Sequence, residues 1–290
     1  MDGNGDNNEP GWLDILREDS TRERMDAQVY GECTLGEKGR AVLYSICKSF
    51  RCHNLGATHL AVRIFERYLA GAIRLRLHGN THQSVLMHVK QRLILYFACC
   101  AQLATKTLKQ TARVRPKEIH RFLGQKYTLQ DIMSTEREIF KRMGYQLPLF
   151  TSSEMAQLLA EEVGIEPTMF KEVYQVVHVA ELRRRDLEFE VRWLIEPRCM
   201  PDGLKRVRTF HLAGGCVAAV VKRVKPADIE QITLRLSSML QVSCLYVQTL
   251  ADVITIWTTS ERPKHVWARS CSNHFMKTSS TKSSPSLYYG

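Results

Sequence analysis

Cys47-Xaa4-Cys52-His53 is the one close grouping of thiol and imidazole in this chain of 290 residues. Three ligands fall short of the four-ligand spacing of a structural zinc site. Cys47 lies on a helix face and the other two in the following turn, so their side chains need not converge, and no metal set is assigned. The ten His residues are scattered, with no carboxylate at a spacing suited to acid–base work. The sequence contains no GxxxxGK[ST], no GxGxxG after a strand, and no GxSxG, HExxH or EF-hand loop. These residues point to a binding protein rather than an enzyme, with no cofactor, no metal and no small-molecule substrate.

Basic residues form the other conspicuous group. From Ala104 to Lys126 there are seven (Lys106, Lys109, Arg113, Arg115, Lys117, Arg121, Lys126) against one acid, Glu118, and Arg74, Arg76, Lys90 and Arg92 lie nearby in sequence. Such a density of bases suits phosphate contact or a phosphorylated partner, so Lys109, Arg113, Arg115, Lys117 and Arg121 form a candidate basic patch. The competing reading is a solvated helix face. Aromatic residues do not interleave as they do in single-strand binders, and direct DNA contact stays open. Arg183-Arg184-Arg185 reads as a solvated helix face, and Ser284-Pro285 as a minimal proline-directed phosphorylation site.

The net charge of +11 favours an acidic partner without naming one. With 44% hydrophobic and 24% charged residues, the composition is that of a soluble globular protein. Collagen-like, fully disordered and polytopic membrane classes are excluded. No run approaches the ~18 consecutive apolar residues of a membrane-spanning helix. The acidic first dozen residues differ from a secretory or mitochondrial leader, so a nucleocytoplasmic location without membrane association is expected. The nine cysteines read as reduced, mostly buried small hydrophobes.

The elements that carry these residues are helical throughout. Residues 1–27 read as a flexible acidic arm, with six acids and one base among the first 19 and a short helix possible over Trp12–Leu16. Residues 28–150 carry five helix patterns, at 37–50, 58–73, 84–107, 114–123 and 129–143, the second half of the third apolar nearly all round and therefore central. Thr128 with Asp131 forms a capping-box pattern and Pro116 suits a first helical turn. Residues 151–257 give helices near 154–163, 167–190, 210–224, 228–240 and 243–257. The third of these, Phe210–Val224, is rich in small residues, so neighbours can approach its backbone. Residues 258–290 read as a basic Ser/Thr-rich disordered tail. Strand alternation is not found, and the fold class is all-α.

The order of these segments resembles the cyclin box. The resemblance is carried by Arg40-Ala41-Val42-Leu43, by His59–Leu69 with its Glu66-Arg67-Tyr68-Leu69 ending, and by Gln102-Leu103-Ala104-Thr105-Lys106. Tyr127-Thr128 follows, then Glu136–Leu147 ending in Phe150-Thr151. It implies a cyclin fold, a five-helix box followed by a divergent second cyclin-like domain, and a regulatory subunit for a cyclin-dependent kinase. Lys106 and Glu136 match the family's kinase-binding Lys and Glu, and Arg40 and Glu66 its structural ion pair. Arg40, Val42, Leu43 and Ile46 match a substrate-docking patch, with Gly39 and Ile46 where the family carries Met and Trp. Within the family the chain is most similar to a meiotic branch associated with crossover sites. That similarity implies a nuclear, chromosome-associated protein meeting recombination factors.

Overall fold

Thr128 and Thr151 each open a helix by the same reciprocal exchange. The Thr128 hydroxyl accepts from the Asp131 amide at 3.1 Å while the Asp131 carboxylate accepts from the Thr128 amide at 2.9 Å. Thr151 and Glu154 repeat the pattern at 3.1 and 2.7 Å. Each box satisfies two amides that a helix start would leave unpaired. Pro116 occupies a first turn as its fixed φ predicts. At the other ends, the turns after 49, 122, 142, 162 and 240 close with paired reversed bonds and a left-handed residue, which is Gly124, Gly144 or Gly164 in three of them.

The computed structural model describes residues 11–30, 35–52, 55–76, 82–108, 114–195 and 206–259. Residues 1–10, the tail beyond Thr259 with Ser284-Pro285, and the basic residues Lys109 and Arg113 lie outside the described residues. Thirteen α-helices occur among the described residues, and no strand. They are α1 Trp12–Tyr30, α2 Glu37–Ser49, α3 Leu55–Arg76, α4 His82–Gln91, α5 Leu93–Thr107, α6 Pro116–Phe122 and α7 Leu129–Arg142. Then follow α8 Ser152–Glu162, α9 Phe170–Leu182, α10 Arg184–Leu194, α11 Thr209–Val224, α12 Ile229–Leu240 and α13 Cys244–Thr259.

Two hydrophobic cores form, each around one helix that is buried over most of its length. In the first, every residue of α5 from Leu95 to Thr105 is buried. Around it pack Leu60, Ile64 and Phe65 of α3, Leu43 and Ile46 of α2, and Ile132 and Ile139 of α7. Phe65 meets Phe97 edge to face at 4.8 Å. In the second, every residue of α11 from Thr209 to Val221 is buried, among Leu159 of α8, Val173 and Val177 of α9, Leu236 of α12 and Leu250 of α13. Large aliphatic and aromatic side chains buried this way contribute about 1.5–3 kcal/mol each.

Three elements differ from the sequence reading. The third helix of the first half is two helices, α4 and α5, separated at Arg92, whose φ of −115° and ψ of 17° depart from helix geometry. The Arg92 side chain donates to the Thr135 hydroxyl on α7 at 3.3 Å and lies over the rings of Tyr96 and Tyr127. The helix read over 167–190 is a short 3-10 turn, Pro167–Met169, then α9 and α10, which meet at Arg183. Residues 12–27, read as part of a flexible arm, are instead helical and docked as α1. Its Leu16 is buried in the second core, while Asp19 and Asp26 pair with a stripe of bases on α3: Asp19 with Arg63 at 2.6 Å and Arg67 at 3.5 Å, Asp26 with Arg67 at 3.6 Å and Arg74 at 2.7 Å.

Gly71 lets two backbones touch. A Cβ at this position would lie 2.2 Å from the Arg142 carbonyl oxygen, where α3 passes the end of α7. In an open helix Gly→Ala stabilises by up to ~1 kcal/mol. At this contact the sign reverses, and Gly71→Ala is expected to destabilise by about 1–3 kcal/mol. A lowered urea midpoint reads this out, and a raised midpoint would refute the close approach.

Candidate functional site

Lys106 and Glu136 come together from helices thirty residues apart in sequence. Lys106 sits in the last turn of α5, a favourable place for a cation, and its ammonium bonds the Glu136 carboxylate of α7 at 2.5 Å. The lysine side chain is 45% exposed and the glutamate 17%. Leu129, Met133 and Glu136 follow one another at i, i+4 and i+7 on α7, so they share a face, and Leu129 and Met133 are exposed. The sequence reading missed this apolar flank, although its helical spacing is the signal that marks it. Behind the face, Tyr68 and Tyr96 donate to Glu138 at 3.4 and 3.3 Å, and Thr135 is buried under Arg92. The pair therefore stands on helices whose positions the first core fixes.

The candidate docking patch does not form a surface. Leu43 and Ile46 are buried in the first core and Arg40 is fully enclosed; only Val42 keeps partial exposure. Their spacing places three of the four on the inward stripe of α2. In the candidate basic patch, Arg115, Lys117 and Arg121 are exposed on or beside α6, with Lys126 in the next turn. No carboxylate among the described residues forms a salt bridge with these four. Two bases nearby in sequence belong elsewhere: Arg74 pairs with Asp26, and Arg92 packs on Thr135 and two tyrosine rings.

Arg40 and Glu66 bond at 2.6 Å, both buried, and they belong to a larger network. Arg40 also reaches Glu181 of α9 at 2.9 Å and the Leu35 carbonyl at 2.8 Å. Glu66 also accepts from Arg206 and from the Leu35 amide at 2.8 Å. Arg184, the centre of the triplet read as solvated, has no exposed surface. It bonds Glu23 of α1 at 2.7 Å, Glu188 at 3.4 Å, Glu181 at 3.6 Å and the Thr209 hydroxyl at 3.0 Å. Its neighbour Arg183 lies over the Trp257 ring at 5.0 Å, and Arg185 alone of the three is exposed. Glu23 also accepts from the Thr209 amide at 2.9 Å, so a carboxylate from α1 satisfies the start of α11. Helices of the first core (α2, α3) are thus joined to helices of the second (α9, α10) through charge.

Burial alone would raise the Glu181 carboxyl, but Arg184 and Arg40, helped by His59 and the Ser152 hydroxyl, hold it at about 2. Glu23 is lowered by Arg184, Arg206 and Arg63 against the same burial. Beside this network His59 of α3 faces His178 of α9, Nε2 to Nδ1 at 3.5 Å. Burial pushes His59 down to about 4 and lowers His178 as well. No group of three or more potential metal ligands occurs among the described residues.

No family model matches the chain, and no curated protein matches it by sequence. Among solved structures, the X-ray structure of a viral cyclin from herpesvirus saimiri is similar, with a TM-score of 0.51 and 10% identity. The likeness covers 83% of this chain and 96% of the viral one. At that identity it is a likeness of fold, and the chain has an all-α cyclin fold.

Removing one partner from a buried charge network strands the others, at a cost of about 3–5 kcal/mol. Glu181→Gln is expected to lose stability of that order at pH 7. The folded carboxyl titrates near 2 against 4.5 for the unconstrained group, so its contribution is complete above about pH 5 and fades as pH falls toward 2. Urea midpoints of wild type and variant should therefore differ at pH 7 and converge on acidification. A gap that stays constant with pH would refute the assignment.

Proposed function

We propose that this chain is the regulatory subunit of a cyclin-dependent kinase, binding it through the Lys106–Glu136 face and supplying no active site of its own. The observation that carries the reading is that pair itself, set on rigid first-core helices and flanked by exposed Leu129 and Met133. An ammonium and a carboxylate side by side can donate to carbonyls and accept from amides of a partner helix at once, and charge-assisted bonds at a half-buried interface are strong. In the free chain the two groups satisfy each other, and a solvent-screened pair is worth only about 0–1 kcal/mol. Exchanging it for partner groups therefore costs little. Seating the kinase helix that carries the Glu paired with the ATP-binding Lys would complete the kinase's own catalytic groups. The expected setting is the nucleus, on chromosomes, in meiotic crossover formation beside recombination factors. That part rests on the sequence resemblance over residues 34–257. With Leu43 and Ile46 buried, substrates are not expected to dock at the start of α2.

The test mixes the purified chain with candidate cyclin-dependent kinases and measures complex formation and phosphorylation of a generic substrate. Lys106→Ala/Glu136→Ala should lose binding and activation tenfold or more while its thermal midpoint stays within about two degrees, since little stability resides in the pair. Loss-free binding by the double variant would move the interface elsewhere, and a folded wild type that binds none would favour a cyclin-fold scaffold recruiting recombination factors.

A second reading, direct nucleic-acid contact, is favoured by exposed Arg115, Lys117, Arg121 and Lys126. It requires affinity for duplex DNA to fall log-linearly with salt, by orders of magnitude between about 50 and 200 mM. Affinity insensitive to salt would exclude it.

A further inference from the structure

The thiols of Cys47 and Cys52, which spacing alone left apart, are brought together by the way α2 ends. The Cys52 amide donates to the Cys47 carbonyl at 2.9 Å and the Arg51 amide to the Lys48 carbonyl at 2.9 Å, with Arg51 at φ 56°. This is a Schellman motif, in which the first and last residues of the six are side-chain neighbours. The same chain demonstrates the rule elsewhere. At the end of α7 the equivalent residues are Phe140 and Tyr145, whose rings meet at 5.4 Å. At the end of α8 they are Ala160 and Ile165, both buried in the second core. At the end of α2 they are two cysteines.

The backbone bond also bounds their separation. With standard covalent geometry, a 2.9 Å amide-to-carbonyl bond keeps the two Cα atoms within about 6.8 Å, and disulfides span Cα separations of about 4.4–6.8 Å. The neighbouring Cys47 lowers the Cys52 thiol, while Cys52 and burial raise that of Cys47. Cys52 lies nearer the surface, 7% exposed against 1%. The remaining buried thiols have other surroundings. Cys99 and Cys100 are successive residues of one helix and diverge, burial pushes Cys99 up to about 12, and Cys216 is enclosed in the second core.

We propose that Cys47 and Cys52 form an oxidisable dithiol, a modification site that reacts with hydroperoxides through Cys52 and is resolved by Cys47. The Cys52 thiolate attacks the O–O bond. A sulfur–oxygen bond forms, the O–O bond breaks, and the departing oxygen leaves as water or an alcohol after taking a proton. The Cys47 sulfur then attacks the Cys52 sulfenic acid, the S–S bond forms, the S–O bond breaks, and hydroxide leaves with the Cys47 proton as water. The two sulfurs together give up two electrons and the peroxide accepts them. The product closes a six-residue loop across Arg51 and ties the end of α2 to the turn before α3. This site is independent of the kinase reading and stands whether or not that reading holds.

The experiment treats the full reduced chain with hydrogen peroxide, alkylates remaining thiols after denaturation, and maps each cysteine by peptide mass spectrometry. Trypsin cuts after Lys48 and Arg51, so the product appears as a linked pair of peptides that dithiothreitol separates. The expected result is loss of Cys47 and Cys52 from the alkylated pool together, at least tenfold faster than Cys99, Cys100 or Cys216. Cys47→Ser should hold the reaction at the first step and give a dimedone adduct on Cys52. In wild type, retention of both thiols, uniform oxidation of all cysteines, or a different disulfide would each overturn the proposal. Because the wild-type arm is decisive, a Cys47→Ser variant that loses its helical circular dichroism leaves the conclusion intact.

Discussion

Compensation among buried charges is the constraint on which the two halves of this chain depend. Arg40, Arg184 and Arg206 are matched by Glu23, Glu66, Glu181 and Glu188 in a region almost closed to water. Isolated charges there would each cost several kcal/mol of desolvation. The carboxylates and guanidinium groups come from α1, α2, α3, α9, α10 and the residues before α11, so no helix can shift without stranding a charge on another. Apolar packing builds each core separately around α5 and α11. Charge fixes how the second is attached to the first.

The apolar skeleton was legible in the sequence. An all-round apolar run marks a central helix, and that run is α5, buried from Leu95 to Thr105. The small residues of α11 have the expected use, since Leu240 and Leu250 press against Gly214 and Gly215. The Thr128–Asp131 cap was legible because both partners lie within four residues. Lys106 and Glu136, thirty residues apart, were placed by resemblance, since no local pattern joins them.

What could not be read was the partnering of charges over long sequence distances. Asp19, Glu23 and Asp26 follow one another at helical spacing, and Arg63, Arg67 and Arg74 do so on α3. Taken singly, each stripe has the composition of a solvated face, and only their apposition makes them a contact. Arg184 misled for the same reason: a run of three arginines signals exposure, yet the break at Arg183 directs the middle one inward, where three carboxylates surround it. The Cys47–Cys52 contact escaped because spacing gives no sign that Arg51 takes a left-handed conformation that most residues avoid.

The docking of α1 changes what counts as a separable piece of this protein. Composition invites a truncation at residue 28, just before the family-like segments begin. Such a fragment would keep α2 to α13, yet Arg63 would lose Asp19, and Arg184 and Arg206 would lose Glu23. It would also uncover the side of the second core that Leu16 and Trp12 close. The smallest autonomous folding unit therefore includes α1, whose carboxylates serve as internal counter-ions.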